Sequence, residues 1–118
     1  MAVIFSKILT KTDVEKRLAV PSKHLKCFPR FKGHEHAVNI EAIDDQSGKI
    51  CVFQCSIRKK NHLKPVISKG WVQYVRNRQL RVGDKVKFYR EAGGNYRIKV
   101  KKSVRIFGVV IGYAPARG

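Results

Sequence analysis

The chain has 118 residues, 43% of them hydrophobic, which suits one folded domain and excludes a disordered basic tail. Lys and Arg number 26 against eight Asp and Glu, a formal net charge of +18, so a polyanion is the leading partner. Three cysteines, an odd count, build no secretory disulfide framework, and no apolar run approaches the roughly 20 residues that span a bilayer.

Lys7 and Lys11 interrupt the short apolar start, so no signal peptide is expected, and the thiols are expected free in a reducing compartment. Residues 3–9 read as a first strand, with Val3, Phe5 and Leu9 on one face. Thr10 is placed to cap a short helical turn, with Asp13 three positions on, and Lys16 and Arg17 close this loop. Residues 18–20 make a second short strand. Pro21 and Ser22 then suit a helix start, Leu25 and Phe28 give that helix an apolar face, and Pro29 ends it. Residues 31–36 form a loop. Val38, Ile40 and Ala42 alternate with Asn39, Glu41 and Ile43 in a strand, and residues 44–48 carry a turn signal.

Residues 51–71 hold the most informative pattern. Cys51, Phe53, Cys55 and Ile57 share one strand face, and Val52, Gln54, Ser56 and Arg58 share the other. The first set is apolar and suits a core. The second becomes polar and runs into Lys59, Lys60, Asn61 and His62, which break the alternation and read as a turn. Val66 and Ile67 return as a second short strand. The result is a β-hairpin with an apolar inner face and a cationic, hydrogen-bonding outer face and tip. The major groove of DNA admits such a two-stranded ribbon.

Ser68 is a plausible N-cap for a helix that holds Trp71, Val72 and Val75 inward and Gln73, Arg76 and Asn77 outward. Gly83 and Asp84 turn the chain into a strand with Val86 and Phe88. Gly93, Gly94 and Asn95 turn it back through Tyr96, Ile98 and Val100. Residues 104–111 are apolar and β-prone but broken by Gly108. Many short strands with two short helices argue for a mainly-β barrel. The charge is uneven. Residues 58–105 hold sixteen basic residues against Asp84 and Glu91, whereas residues 1–57 hold nine basic and six acidic ones.

Metal and catalytic chemistry find little footing. Cys51 and Cys55 lie four apart on a strand, about 13 Å at about 3.3 Å per residue, too far to share one tetrahedral ion. His24, Cys27, His34, His36 and His62 are ligand types, but with that strand spacing the cysteines are read as buried structural thiols, and no metal or other cofactor is expected. No nucleophile elbow or phosphate-cradling Gly loop is present, so an enzyme is not expected. Trp71 and Tyr74 are better explained as core than as base-stacking platforms.

The order of motifs resembles the plant-specific B3 DNA-binding domain of transcription factors. The resemblance is carried by Phe5, Ser6 and Lys7 with Leu9 and Thr10; Asp13 and Val14 with Lys16; Val20 and Pro21 with His24; Phe28 and Pro29; Ser68, Lys69, Gly70 and Trp71 with Val75; and Leu80 through Asp84 with Val86 and Phe88. It implies a seven-stranded open β-barrel with two short α-helices over residues 1–103, leaving 104–118 as a C-terminal segment. It implies a nuclear protein that grips the major groove of double-stranded DNA with two basic arms. The first arm corresponds to residues 10–17, with Lys11, Lys16 and Arg17 carried over. The second is the hairpin, with Gln54, Ser56, Arg58, Lys59, Lys60, Asn61, His62 and Lys64. Departures are a first arm about two residues shorter, Cys51 where Trp is common, and a Lys-rich second arm, so no family target sequence transfers. Arg105, Ile106, Phe107, Gly108 and Val109 also resemble the repression motif of the RAV branch, which has Leu where Ile106 stands and recruits a corepressor. The alternative reading is an RNA-binding small barrel. The absence of an aromatic residue on the outer hairpin face favours duplex DNA.

Overall fold

A computed structural model describes residues 2–20, 37–59 and 63–115. The helix expected over residues 22–28, the loop over 31–36 and the hairpin tip at 60–62 lie outside them. In chain order the elements are β1 (Ala2–Ile8), α1 (Lys11–Glu15), β2 (Leu18–Ala19), β3 (Ala37–Asp44), β4 (Ile50–Lys59), β5 (Leu63–Ile67), α2 (Trp71–Asn77), β6 (Lys85–Arg90), β7 (Tyr96–Ile106) and β8 (Val109–Pro115). One sheet holds all eight strands of the described residues. Seven follow the order β1-β6-β7-β3-β4-β5-β2, and β8 pairs with β7 off that path. All pairs are antiparallel except β3 with β7.

The sheet is open, with β1 and β2 at its two ends, and side chains link those ends. Lys7 on β1 donates to the Ala19 carbonyl on β2 at 2.8 Å and to Asp13 Oδ1 at 2.9 Å. The Ala19 amide donates to that same carboxylate oxygen at 3.2 Å. Asp13 thus sits in the seam. It also completes the capping box of α1, accepting from the Thr10 amide at 2.8 Å while the Thr10 hydroxyl accepts from the Asp13 amide.

Period-two alternation fills the interior. Ile40 and Ala42 from β3, Phe53 and Cys55 from β4, Val86 and Phe88 from β6, and Tyr96, Ile98 and Val100 from β7 are buried. Trp71, Tyr74 and Val75 of α2 cover them. Phe53 is the hub: its ring meets Trp71, Tyr74 and Phe88 edge-on at 6.0, 5.6 and 6.3 Å.

Three expectations need correction. Val3 does not share the inner face with Phe5. A register shift between them turns Val3 out and buries Ile4 beside Phe5. Ser68 does not cap α2. The N-cap is Gly70, at φ +87°, and a Cβ there would run into the Val52 carbonyl oxygen. Tyr74, rather than the half-buried Val72, joins Trp71 and Val75 inward, because positions three and four on from Trp71 share its helix face. The β-prone segment over residues 104–111 becomes a hairpin. Ile106 pairs with Val109 across a two-residue turn in which Phe107 and Gly108 have φ of 50° and 79°. This hairpin does not pack on the core: Val104, Ile106, Val109, Val110 and Ile111 are exposed and Phe107 entirely so.

Candidate nucleic-acid interface

The two proposed arms feed neighbouring strands. The first is α1 with its flanks: Lys11 opens the helix, Lys16 is its C-cap and Arg17 leads into β2. The second is the β4–β5 hairpin. Leu18 pairs with Ile67 and Ala19 with Val66, and the Val20 amide donates to the Pro65 carbonyl at 3.0 Å. The strand leaving the first arm therefore lies along the returning strand of the second. α2 fixes the first arm from behind, where Trp71 Nε1 donates to the Asp13 carbonyl at 2.6 Å.

Parity in β4 sorts its side chains. Phe53 and Cys55 are buried, while Gln54 and Ser56 are half-buried on the other face. Arg58 holds the next position of that outer parity and pairs with Lys64, as Lys59 pairs with Leu63. Lys60, Asn61 and His62 lie outside the described residues. Asn39, exposed on β3 directly opposite Gln54, extends the polar face. Its outward parity was visible in the β3 alternation, but only the strand pairing sets it beside Gln54.

The electrostatics are one-sided. Lys11 and Lys16 are exposed, and they and Arg17 have no ion-pair partner among the described residues. Lys7, by contrast, is spent on Asp13. Burial alone would raise the Asp13 carboxyl, but hydrogen bonds from the Thr10 amide, Lys7, the Thr10 hydroxyl and the Ala19 amide hold it below its ordinary 3.8. Burial pushes the Cys55 thiol up to about 11, and burial with the nearby Asp44 raises Cys51, so both are protonated and poorly nucleophilic at neutral pH. The described residues hold no group of three or more His, Cys, Asp or Glu side chains placed to bind a metal. None of their helices is long and apolar enough to cross a membrane.

Of the C-terminal motif residues, Ile106, Phe107 and Val109 stand exposed at the β7–β8 turn. Arg105 is turned away from them. Its Nη2 donates to the Val82 carbonyl at 2.5 Å and lies against Gly83.

A family model described as the B3 DNA binding domain matches residues 5–104. The B3 domain-containing transcription factor NGA4 of Arabidopsis thaliana is 33% identical over 89 residues, covering 74% of this chain and 26% of the relative. The AP2/ERF and B3 domain-containing transcription repressor TEM1 of Arabidopsis thaliana is 32% identical over 130 residues, covering 92% of this chain and 36% of the relative. This chain thus spans only a minor part of each relative's length. Among solved structures, the Arabidopsis FUS3–DNA complex has a TM-score of 0.76 at 22% identity, covering 86% of this chain and 99% of that one. The Arabidopsis thaliana LEC2–DNA complex has a TM-score of 0.73 at 18% identity, covering 83% of this chain and 91% of that one. These two likenesses establish a common fold.

Proposed function

Since the chain belongs to the B3 DNA-binding domain family, we propose that it binds double-stranded DNA sequence-specifically, as part of a nuclear transcription regulator. Its chemistry is recognition rather than catalysis. The observation that supports this reading is the β4 parity: Gln54 and Ser56 lie on the face opposite the buried Phe53 and Cys55, and Arg58 holds the next position of their register. Gln54, Ser56, Arg58 and Asn61 read base edges, since amide and guanidinium groups match base donors and acceptors bidentately. Lys11, Lys16, Arg17, Lys59, Lys60, His62 and Lys64 contact the backbone and set register. Competition at fixed salt tests this, with duplex DNA, single strands and RNA of equal length. Duplex DNA is expected to compete best. Stronger competition by RNA would transfer the assignment to an RNA-binding barrel.

A second role is favoured by one observation, the bare apolar turn of the β7–β8 hairpin, where Phe107 is 101% exposed. A surface of this kind on a basic domain suits a protein partner, and a corepressor is the partner that Arg105 to Val109 imply. Phe107→Ser is expected to leave DNA affinity unchanged and to lower repression of a reporter. Unchanged repression would remove this role.

A further inference from the structure

Burial withdraws acid from the surface of this chain. Asp13, Asp44 and Asp84 are buried, with Lys7, Arg78 and Lys102 at 2.9, 3.8 and 3.4 Å from them. The remaining cations are not spread evenly. On β6 and β7, Lys87 stands directly opposite Lys99 and Lys85 directly opposite Lys101. Both pairs alternate with the core residues Val86, Phe88, Ile98 and Val100, so they occupy the outer face.

The neighbouring pair, Tyr89 opposite Arg97, shows what compensation looks like on this sheet. Arg97 meets Glu91 at 2.6 Å and Asp45 at 3.3 Å. Lys99 reaches that same Asp45 only at 4.0 Å. Lys85, Lys87 and Lys101 have no ion-pair partner among the described residues. The Lys85 ammonium lies 5.6 Å from the centroid of the Tyr113 ring, which orients the side chain and leaves its charge in place.

Directly opposed like charges, with Cβ atoms about 4.5–5.5 Å apart, destabilise an antiparallel pair. The two lysine pairs repeat along the strands at about 7 Å. A chain of phosphates laid across them relieves that repulsion, and lysine, a compact point charge without a planar fork, suits contacts that carry no sequence information. In the sheet order β3 separates these strands from the β4–β5 hairpin. We infer that Lys85, Lys87, Lys99 and Lys101 form a second phosphate-binding face, which takes the backbone of duplex DNA without reading its sequence. This inference rests on the duplex binding proposed above.

The test replaces all four lysines by glutamine, which keeps most of each stem over the sheet. Thermal melting and duplex affinity against salt are then measured beside the wild type. The variant is expected to melt at the same temperature or higher. Its log–log salt slope is expected to be shallower by about two to three, since each neutralised phosphate contributes about 0.9. Selected and random duplexes are expected to lose affinity by the same factor. A wild-type slope in the folded variant would overturn the lysine face and leave the hairpin assignment standing. Amide shifts in the wild-type protein give a measurement independent of any variant. Residues 85–88 and 98–101 are expected to shift on saturation with duplex, and unmoved signals there would also overturn the proposal. A wild-type protein that binds no duplex at any salt would overturn both readings.

Discussion

Strand parity divides the single residues of β4 between the buried core, with Phe53 and Cys55, and an outer face, with Gln54 and Ser56, to which the proposed function assigns recognition. Phe53→Ala removes the ring at the centre of the aromatic cluster and is expected to cost about 3–5 kcal/mol of stability. Its DNA binding should fall only as far as the protein unfolds. Arg58→Ala and Gln54→Ala are expected to leave the melting temperature almost unchanged and to weaken or relax duplex recognition by about 1–3 kcal/mol. Melting curves beside binding to matched and mismatched duplexes separate the two classes. An unfolded Arg58→Ala with a stable Phe53→Ala would invert the assigned face. The burial half of this division was legible in the sequence over residues 51–56, because alternation needs no distant information. The buried acids were not. Asp84 accepts from the Ser103 amide at 2.8 Å, a residue 19 positions away. The Asp13 carbonyl accepts from Trp71, 58 positions away. Asp13 was visible as part of a cap and Asp84 as part of a turn, whereas their long-range partners exist only after folding.

Those two acids also set a pH dependence. For Asp84, burial alone would raise the carboxyl, but the Ser103 and Arg81 amides, the Ser103 hydroxyl and the charge of Lys102 hold it below 3.8, as the Thr10 and Lys7 bonds do for Asp13. A carboxyl with its folded pKa below its unfolded one adds stability that is whole above the unfolded value. That stability drains as pH falls past 3.8 and through the lowered folded value. Asp84→Asn is therefore expected to melt lower than wild type at neutral pH, by about 1–3 kcal/mol. Its melting temperature should also change less between about pH 5 and pH 2. A parallel curve for the variant would show that the carboxyl ionises alike in both states.

At the scale of elements, the entry into α2 is the informative case. Ser68 has the chemistry of a cap, and residue type alone pointed to it. The structure instead starts the helix at Gly70, with no side-chain cap, because the chain passes against the Val52 carbonyl in a left-handed conformation. That contact crosses from β4, so residue type alone does not reveal it. Gly70→Ala is expected to cost at least about 1–3 kcal/mol, from a strained φ and the collision. Ser68→Ala should stay within about 0.5 kcal/mol of wild type. Chemical denaturation of both variants checks this, and the reverse ranking would restore Ser68 as the cap. The β1 shift teaches the same lesson. Alternation assumes an even register, and one irregularity between Val3 and Phe5 was enough to turn Val3 outward.

Across the whole molecule, charge opposes folding and favours the ligand. The formal net charge is +18, and among the described residues Asp13, Asp44 and Asp84 are buried. The free domain therefore repels itself, and salt screens that repulsion over a Debye length of about 10 Å at 0.1 M. Binding works in the opposite sense, because added salt restores the counterions that the protein displaces from DNA. With about five to eight phosphates neutralised, the log–log slope of affinity against salt is expected to be roughly −4.5 to −7. The free domain is expected to melt higher as salt rises over the same range, so stability and affinity move in opposite directions. Parallel melting and binding titrations in sodium chloride read both. A slope near −1 would mean that most of the charge lies away from the DNA, and a free domain that melts lower with salt would mean that self-repulsion is not what strains it.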